Sequence, residues 1–208
     1  MIATKSPRKS LPRISAKKIP NALIYEIIDG KPIYYKGYRE VLSGNKSIEE
    51  IVGASNLQST IIEYLLMVLY KFTDLKRYRI LTNEAGIHIK HKTNLSGDIL
   101  IYEKELLPVK SADKHYINIP PKIQIEVDID ADVESFGTPD NYIYTKTEKL
   151  LSFGVEKVIW VMSDSRKVLV ATPNENWQVI DWYKEIEILE NINFCVGKYL
   201  KDEGSPFA

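Results

Sequence analysis

The 208-residue chain predicts an α/β domain in which a mixed sheet, preceded by an N-terminal β-hairpin, is flanked by two main helices. Three observations carry that prediction. Two windows, about 56–72 and 141–153, place apolar residues at helical spacing. Stretches near 78–81, 98–102, 123–129, 158–162, 167–171 and 177–182 alternate or run apolar as strands do. The make-up, 44% apolar and 27% charged, suits one ordinary globular core.

In chain order, Leu23-Ile24-Tyr25-Glu26-Ile27-Ile28 enters Asp29-Gly30 and leaves as Lys31-Pro32-Ile33-Tyr34-Tyr35, and Asp-Gly between apolar runs is a hairpin signal. Pro32 sets the second strand near an edge. Residues 36–46 read as a loop, and Ser47-Ile48-Glu49-Glu50 has capping-box spacing for a short helical turn. Ser55 or Asn56 caps the first main helix, so apolar through Leu57, Ile61, Ile62, Leu65, Leu66, Val68 and Leu69 that it should be covered on most sides. Strands at 78–81 and 87–90 then flank a turn at 83–86, and Asp98-Ile99-Leu100-Ile101-Tyr102 reads as an interior strand. Residues 103–121 form an irregular crossing with one helical turn.

From Lys122 to Asp130, Ile123, Ile125, Val127 and Ile129 alternate with Gln124, Glu126, Asp128 and Asp130, so an extended chain gathers the acids on one face. The breaker-rich 137–140 opens the second helix, and three further strands follow. The chain divides into a flexible basic arm at 1–20, a single domain at 21–200 and a frayed C-terminus at 201–208.

Lys+Arg and Asp+Glu both number 28, so net charge gives no global pull toward nucleic acid or membrane. The arm, with Lys5, Arg8, Lys9, Arg13, Lys17 and Lys18 and no acid, is either a solvated tail or a contact for nucleic-acid phosphate. The cluster Lys71, Lys76, Arg77 and Arg79 has the same two readings, a solvated basic edge or a track for a DNA backbone. A lone Cys195 in an apolar run reads as buried and excludes an internal disulfide framework. No run is long and apolar enough for a membrane span, so a cytoplasmic protein is expected. His88, His91 and His115 lack zinc-site spacing. Asp128, Asp130 and Asp132 fail the calcium-loop template, since Val133 stands where glycine is needed. The three tryptophans read as packing.

Asp98 and Glu126 each put a carboxylate among aliphatic strand residues, where an unpaired charge is costly. A hard dication accepts one or two carboxylates plus waters and phosphate oxygens, which is the inventory these acids offer. Asp98 has a second reading, as a strand-start acid that satisfies backbone donors. On the second helix, with Ile143 as origin and about 100° per residue, Lys146 falls near 300°, between Leu150 near 340° and Phe153 near 280°. A lysine on that apolar arc either snorkels outward or meets a buried carboxylate, and Glu126 is the obvious partner. Glu26 has a local alternative, pairing with Lys31 or Arg39.

Ser96-Gly97-Asp98, then Pro121 to Val127, then Lys146 to Val161, together with the opening Tyr25-Glu26-Ile27-Ile28-Asp29-Gly30, resemble the Uma-type restriction-endonuclease-like family of the PD-(D/E)xK nuclease superfamily over about residues 22–182. The resemblance implies a restriction-endonuclease-like αβββαβ core and Mg2+-dependent cleavage of DNA phosphodiesters, with Mn2+ as a substitute. Asp98 and Glu126 would be metal ligands, with the Val127 carbonyl a third. Lys146 would be the motif lysine, and Glu26 and Gln58 would complete the catalytic set. Three departures stand out. Gly97 replaces the motif proline, Asp128 takes the lysine place of the Glu126-Val127-Asp128 tripeptide, and Gln58 stands where a histidine is usual. The expected function is a metal-dependent endonuclease with DNA as partner and a homodimer left open. Its rival is a catalytically degenerate member of the fold that binds nucleic acid or a protein.

Overall fold

The structure, a computed structural model, describes residues 19–208, so nearly all of the expected basic arm lies outside the described residues. The chain opens with the hairpin β1 (Ile24–Ile28) and β2 (Lys31–Tyr34). Its turn residues Asp29 and Gly30 take φ of 49° and 79°, the left-handed backbone that such a tight hairpin requires.

Residues 36–46 are not all loop: α1 (Tyr38–Leu42) forms there, with Tyr38 buried and stacked on Tyr34 at 4.6 Å. One aromatic anchor stabilises a helix too short to show periodicity. At the next turn, Ser47 N–H donates to the Glu50 carboxylate at 2.7 Å, as the capping box predicts. Ser55 caps α2 (Asn56–Phe72) by accepting from Gln58 N–H at 3.1 Å. Ile61, Leu65 and Leu69 are fully buried, but Met67, Tyr70 and Phe72 face solvent. The expectation that this helix is covered on most sides is therefore corrected to cover along one stripe.

The segments expected as two strands around a turn are one long strand, β3 (Tyr78–Lys90), in a hairpin with β4 (Thr93–Glu103). The turn signal at Asn83 and Glu84 marks a bulge instead. Both residues have positive φ, and the register passes from Thr82↔Ile99 to Ala85↔Gly97 with an extra residue on β3. A one-turn 3-10 helix at Val109–Ser111 matches the predicted crossing. β5 (Ile123–Val127) leads through α3 (Pro139–Phe153) to β6 (Lys157–Met162), which lies parallel to β5. β7 (Lys167–Ala171) and β8 (Gln178–Asp181) complete the sheet. The hairpin of β9 (Ile186–Leu189) and β10 (Ile192–Phe194) and the short α4 (Val196–Asp202) are additions that the sequence pattern does not resolve. The last residues, read as frayed, place Ser205 N–H on the Leu200 carbonyl at 2.8 Å and Ala208 against the core.

The strand order is β2-β1-β4-β5-β6-β7-β8, with β3 also on β4. β3 occupies one edge of β4 from end to end, so β1, paired at Asn94, and β5, paired at Ile99 to Ile101, must share the other. Between those points β1 and β5 part like a fork. One sheet face, with Ile99, Ile101, Ile125 and Val161, packs against α2 and α4. The other, with Leu100, Tyr102 and Trp160, packs under α3, where Trp160 Nε1 donates to Thr147 Oγ1 at 2.9 Å. Cys195 is buried, as its apolar run predicts.

Candidate active site

The fork leaves Ser96 without a backbone partner on its open side, and two side chains take that place. Ser96 N–H donates to Glu26 Oε1 of β1 at 2.9 Å, and the Ser96 carbonyl accepts from Gln124 Nε2 of β5 at 3.0 Å. Gln124 lies so close that a Cβ on Gly97 would stand 2.8 Å from its amide nitrogen. Glycine in the motif-proline position is therefore what admits Gln124.

Gln124 Nε2 also donates to Glu126 Oε1, and that oxygen faces Lys146 Nζ of α3 at 3.0 Å. The same ammonium lies 2.8 Å from Glu26 Oε1, while Glu26 Oε2 accepts from the Tyr142 hydroxyl at 2.7 Å. Glu26, Glu126, Tyr142 and Lys146 are all buried, Lys146 completely. Of its two readings, the lysine on the apolar arc takes the carboxylate. Glu26 finds its cation on α3, 120 residues away in sequence, and Arg39 instead pairs with Asp132 and Glu134.

Asp98 precedes Ile99, which pairs with Ile125, and Glu126 follows Ile125, so the two acids occupy neighbouring positions on adjoining strands. Asp98 Oδ2 accepts from Val127 N–H at 2.7 Å, so it satisfies a backbone donor, as its second reading has it. Burial raises its pKa to about 6 against the opposing pull of the Val127 N–H and Lys146. Burial pushes Glu126 up to about 8; Lys146 opposes the shift, and the Asp98 and Glu26 charges add to it. For Lys146 burial works against the charge, but Glu126 and Glu26 outweigh it and raise its pKa. The amine stays an ammonium.

Gln58 Nε2 of α2 donates to the Val127 carbonyl at 2.8 Å, reaching the end of β5 from the layer opposite α3. Asp128 does not continue the strand. Its φ is 59°, and its carboxylate takes the Ser163 N–H and hydroxyl, both at 2.7 Å. The expectation of one shared acid face is corrected accordingly: β5 ends at Val127, and Asp128 caps the turn after β6. Beyond it, Asp128, Asp130, Asp132, Glu134, Asp140 and Asp164 line a cleft of about 1210 Å3 with Lys36 and Gln58, while Asp98, Glu126 and Lys146 are not in its wall. The tripeptide's lysine position is thus structural.

Glu26, Asp98, Glu126 and Lys146 come together, and Gln58 reaches them through Val127. Sequence reasoning misses Gln124, Ser96, Tyr142 and Glu84. Tyr142 had a usable signal, since it precedes Lys146 by four residues on the same apolar arc. Glu84, on the β3 bulge, is near enough to push the Asp98 pKa upward. Nothing local marks Ser96 or Gln124, because the fork that calls on them is a property of the assembled sheet.

The donors fit a hard divalent cation. Two acids whose pKa values burial holds high, Glu126 with the Asp98 charge adding to it, are short of positive charge, and all available donors are oxygen. Among the described residues no three His, Cys, Asp or Glu side chains gather to hold a metal. Waters, a phosphate oxygen and the second lone pair of the Val127 carbonyl would therefore complete the shell. In the basic cluster read either as a solvated edge or as a DNA track, Arg77 pairs with Glu103 at 3.3 Å and lies over Tyr78, and Lys71 lies over Phe72.

Among the described residues no helix is long and apolar enough to cross a membrane. No family model matches the chain, and no curated protein does. A crystal structure of a candidate nuclease of DUF820 from Anabaena variabilis matches with a TM-score of 0.63 at 14% identity, over 85% of this chain and 89% of that one. The likeness shows the fold, a mixed α/β sheet flanked by helices of the restriction-endonuclease-like kind.

Proposed function

We propose that the chain is a metal-dependent nuclease that hydrolyses phosphodiester bonds of DNA, in the manner of the PD-(D/E)xK superfamily. The observation that carries this reading is the 3.0 Å contact between Lys146 of α3 and Glu126 of β5, with Asp98 at the neighbouring strand position. Asp98 and Glu126 would hold Mg2+ or Mn2+, with the Val127 carbonyl as a third donor. The cation would acidify water and offset charge on the phosphoryl oxygens.

The protein's own groups then have distinct tasks. Glu126 presents one oxygen to Lys146 and Gln124 and keeps the other for binding. Lys146, held as an ammonium, does not serve as a proton acceptor; it is a positioning residue that orients Glu126 and offsets carboxylate repulsion. Glu26, fixed by Tyr142 and Ser96, keeps that ammonium in place. Gln58 orients the Val127 carbonyl.

Nicking of supercoiled plasmid tests the reading. Activity should require Mg2+ or Mn2+, vanish with chelator, and fall about 100-fold or more in Asp98→Ala and Glu126→Gln. Calorimetric Mg2+ binding should weaken in both variants. Asp128, tied to Ser163 in the motif lysine's place, motivates the second reading of a degenerate binding protein. Oligonucleotide binding without cleavage under any divalent cation would favour it.

A further inference from the structure

We propose that the two stacked hairpin turns at the far end of β1 form a phosphate-docking patch that anchors the nucleic-acid backbone beside the active site through Lys31, Lys90, Lys92 and Lys149. The proposal rests on the nuclease reading and adds a surface to it. Gly30 N–H donates to the Lys92 carbonyl at 2.7 Å, and Asp29 N–H donates to Thr93 Oγ1 at 3.1 Å, so the β1–β2 turn is locked onto the β3–β4 turn. The stem of Lys92 lies against Gly30, where a Cβ would come within 3.3 Å of its Cδ. From α3, Lys149 reaches Asp29 Oδ2 at 2.6 Å, and Lys90 reaches Oδ1 at 3.2 Å.

Asp29 thus spaces two lysines, and with Glu148, which lines the groove beside Lys90 and Lys149, it sets two acids against four lysines. Among the described residues Lys31 and Lys92 form no ion pair, and both are exposed. Hydrogen bonds from Lys149 and Lys90 hold the Asp29 carboxyl at about 2. A compact lysine ammonium suits phosphate as a point charge, and backbone contact of this kind is independent of base sequence.

Position supplies the second argument. Asp29 follows Glu26 by three strand residues, roughly 10 Å, and Lys149 follows Lys146 by about 4.5 Å of helix. At the other end of the same elements lies the acidic cleft: Lys36 N–H, just past β2, donates to the Asp130 carbonyl at 2.7 Å, and Pro139 and Asp140 of α3 line the wall. The proposed cation site therefore sits between a positive and a negative end. A polyanion approaching it meets an excess of lysines on one side and an excess of acids on the other, which fixes the direction in which it lies.

Binding of fluorescent DNA oligonucleotides, single-stranded and duplex, measured by anisotropy in chelator over a range of NaCl, tests this without cleavage. The full chain and the triple variant Lys31→Glu, Lys90→Glu, Lys92→Glu are compared, with Lys71→Glu, Lys76→Glu, Arg77→Glu as the control surface. The patch variant should bind about tenfold weaker or worse at low salt, and its slope of log affinity on log salt should shrink by about 2–3, since each phosphate contact contributes roughly 0.7–0.9. The corresponding glutamine variant should show a smaller loss in the same direction. Unchanged affinity and slope in the patch variant, or a loss confined to the control surface, overturns the patch while plasmid nicking leaves the nuclease reading standing. Equal binding to phosphatidylserine vesicles with none to oligonucleotides overturns it too.

Discussion

Two clusters of carboxylate and lysine lie three residues apart on β1 and one turn apart on α3, and they behave oppositely. Glu26 with Lys146 and Glu126 is buried between the sheet and α3, whereas Asp29 and Lys90 are exposed and Lys149 is half-buried beside them. The pairing distances are alike, 2.8 and 3.0 Å in one and 2.6 and 3.2 Å in the other. Yet Glu126 is raised to about 8, first by burial, and Asp29 is lowered to about 2, first by its hydrogen bond from Lys149. Distance does not set the sign; access to water does. Where solvent is excluded, two acids per ammonium leave a deficit of positive charge that a dication could fill.

Removing the ammonium from each cluster should separate them most. Lys146→Met leaves two acids buried without a cation and should cost about 3–5 kcal/mol in urea denaturation. Lys149→Met should cost about 1 kcal/mol or less, because the carboxylate of that pair is open to solvent. A Lys146→Met variant as stable as the parent would mean that water reaches the cluster and that the contrast is false.

A smaller effect comes from the hydroxyl that fixes Glu26. Tyr142→Phe should destabilise by about 1.5–3 kcal/mol, the range for a hydrogen bond to a charged group.

Smallest per unit of pH, and the most diagnostic, is the opposed pH dependence. The folded state holds a proton on Glu126 that the unfolded chain releases above about 4.5, so this contribution is present below that pH and is lost as pH rises through about 8. The slope is up to about 1.4 kcal/mol per pH unit. Asp29 has the reverse sign, its contribution being present above about 3.8 and lost as pH falls through about 2. Thermal midpoints in chelator should thus decline from pH 5 to 8, and Glu126→Gln should flatten that decline. Mg2+ should oppose it by favouring the ionised acids. A parent midpoint independent of pH over that range would count against the buried proton.

Helical periodicity made α2 and α3 legible, and the place of Lys146 on an apolar arc leaves two readings, snorkelling or a buried carboxylate, of which the structure has the second. The same logic failed for β5. Alternation put Asp128 beside Glu126, but a positive φ and the Ser163 cap turn it away. Local pattern carries no information on where a strand stops when the stop comes from a partner 35 residues on. The β3 bulge was misread because Asn83 and Glu84 have the conformations of a turn without reversing the chain. Glu26 was found, but its partner was sought on its own hairpin, since sequence distance hides contacts between β1 and α3. β9 and β10 escaped because Glu190 and Asn191 join them with no Gly or Pro to mark the turn, and α4, of seven residues, spans barely two helical turns.

The opening between β1 and β5 has a consequence for anyone judging activity from a motif. Glu26 and Gln124 complete the hydrogen bonding of Ser96 across that opening, so these side chains hold the sheet together. Any chain with this sheet needs an acceptor and a donor at those two places to keep it closed, so their presence in a sequence reports on architecture before it reports on chemistry.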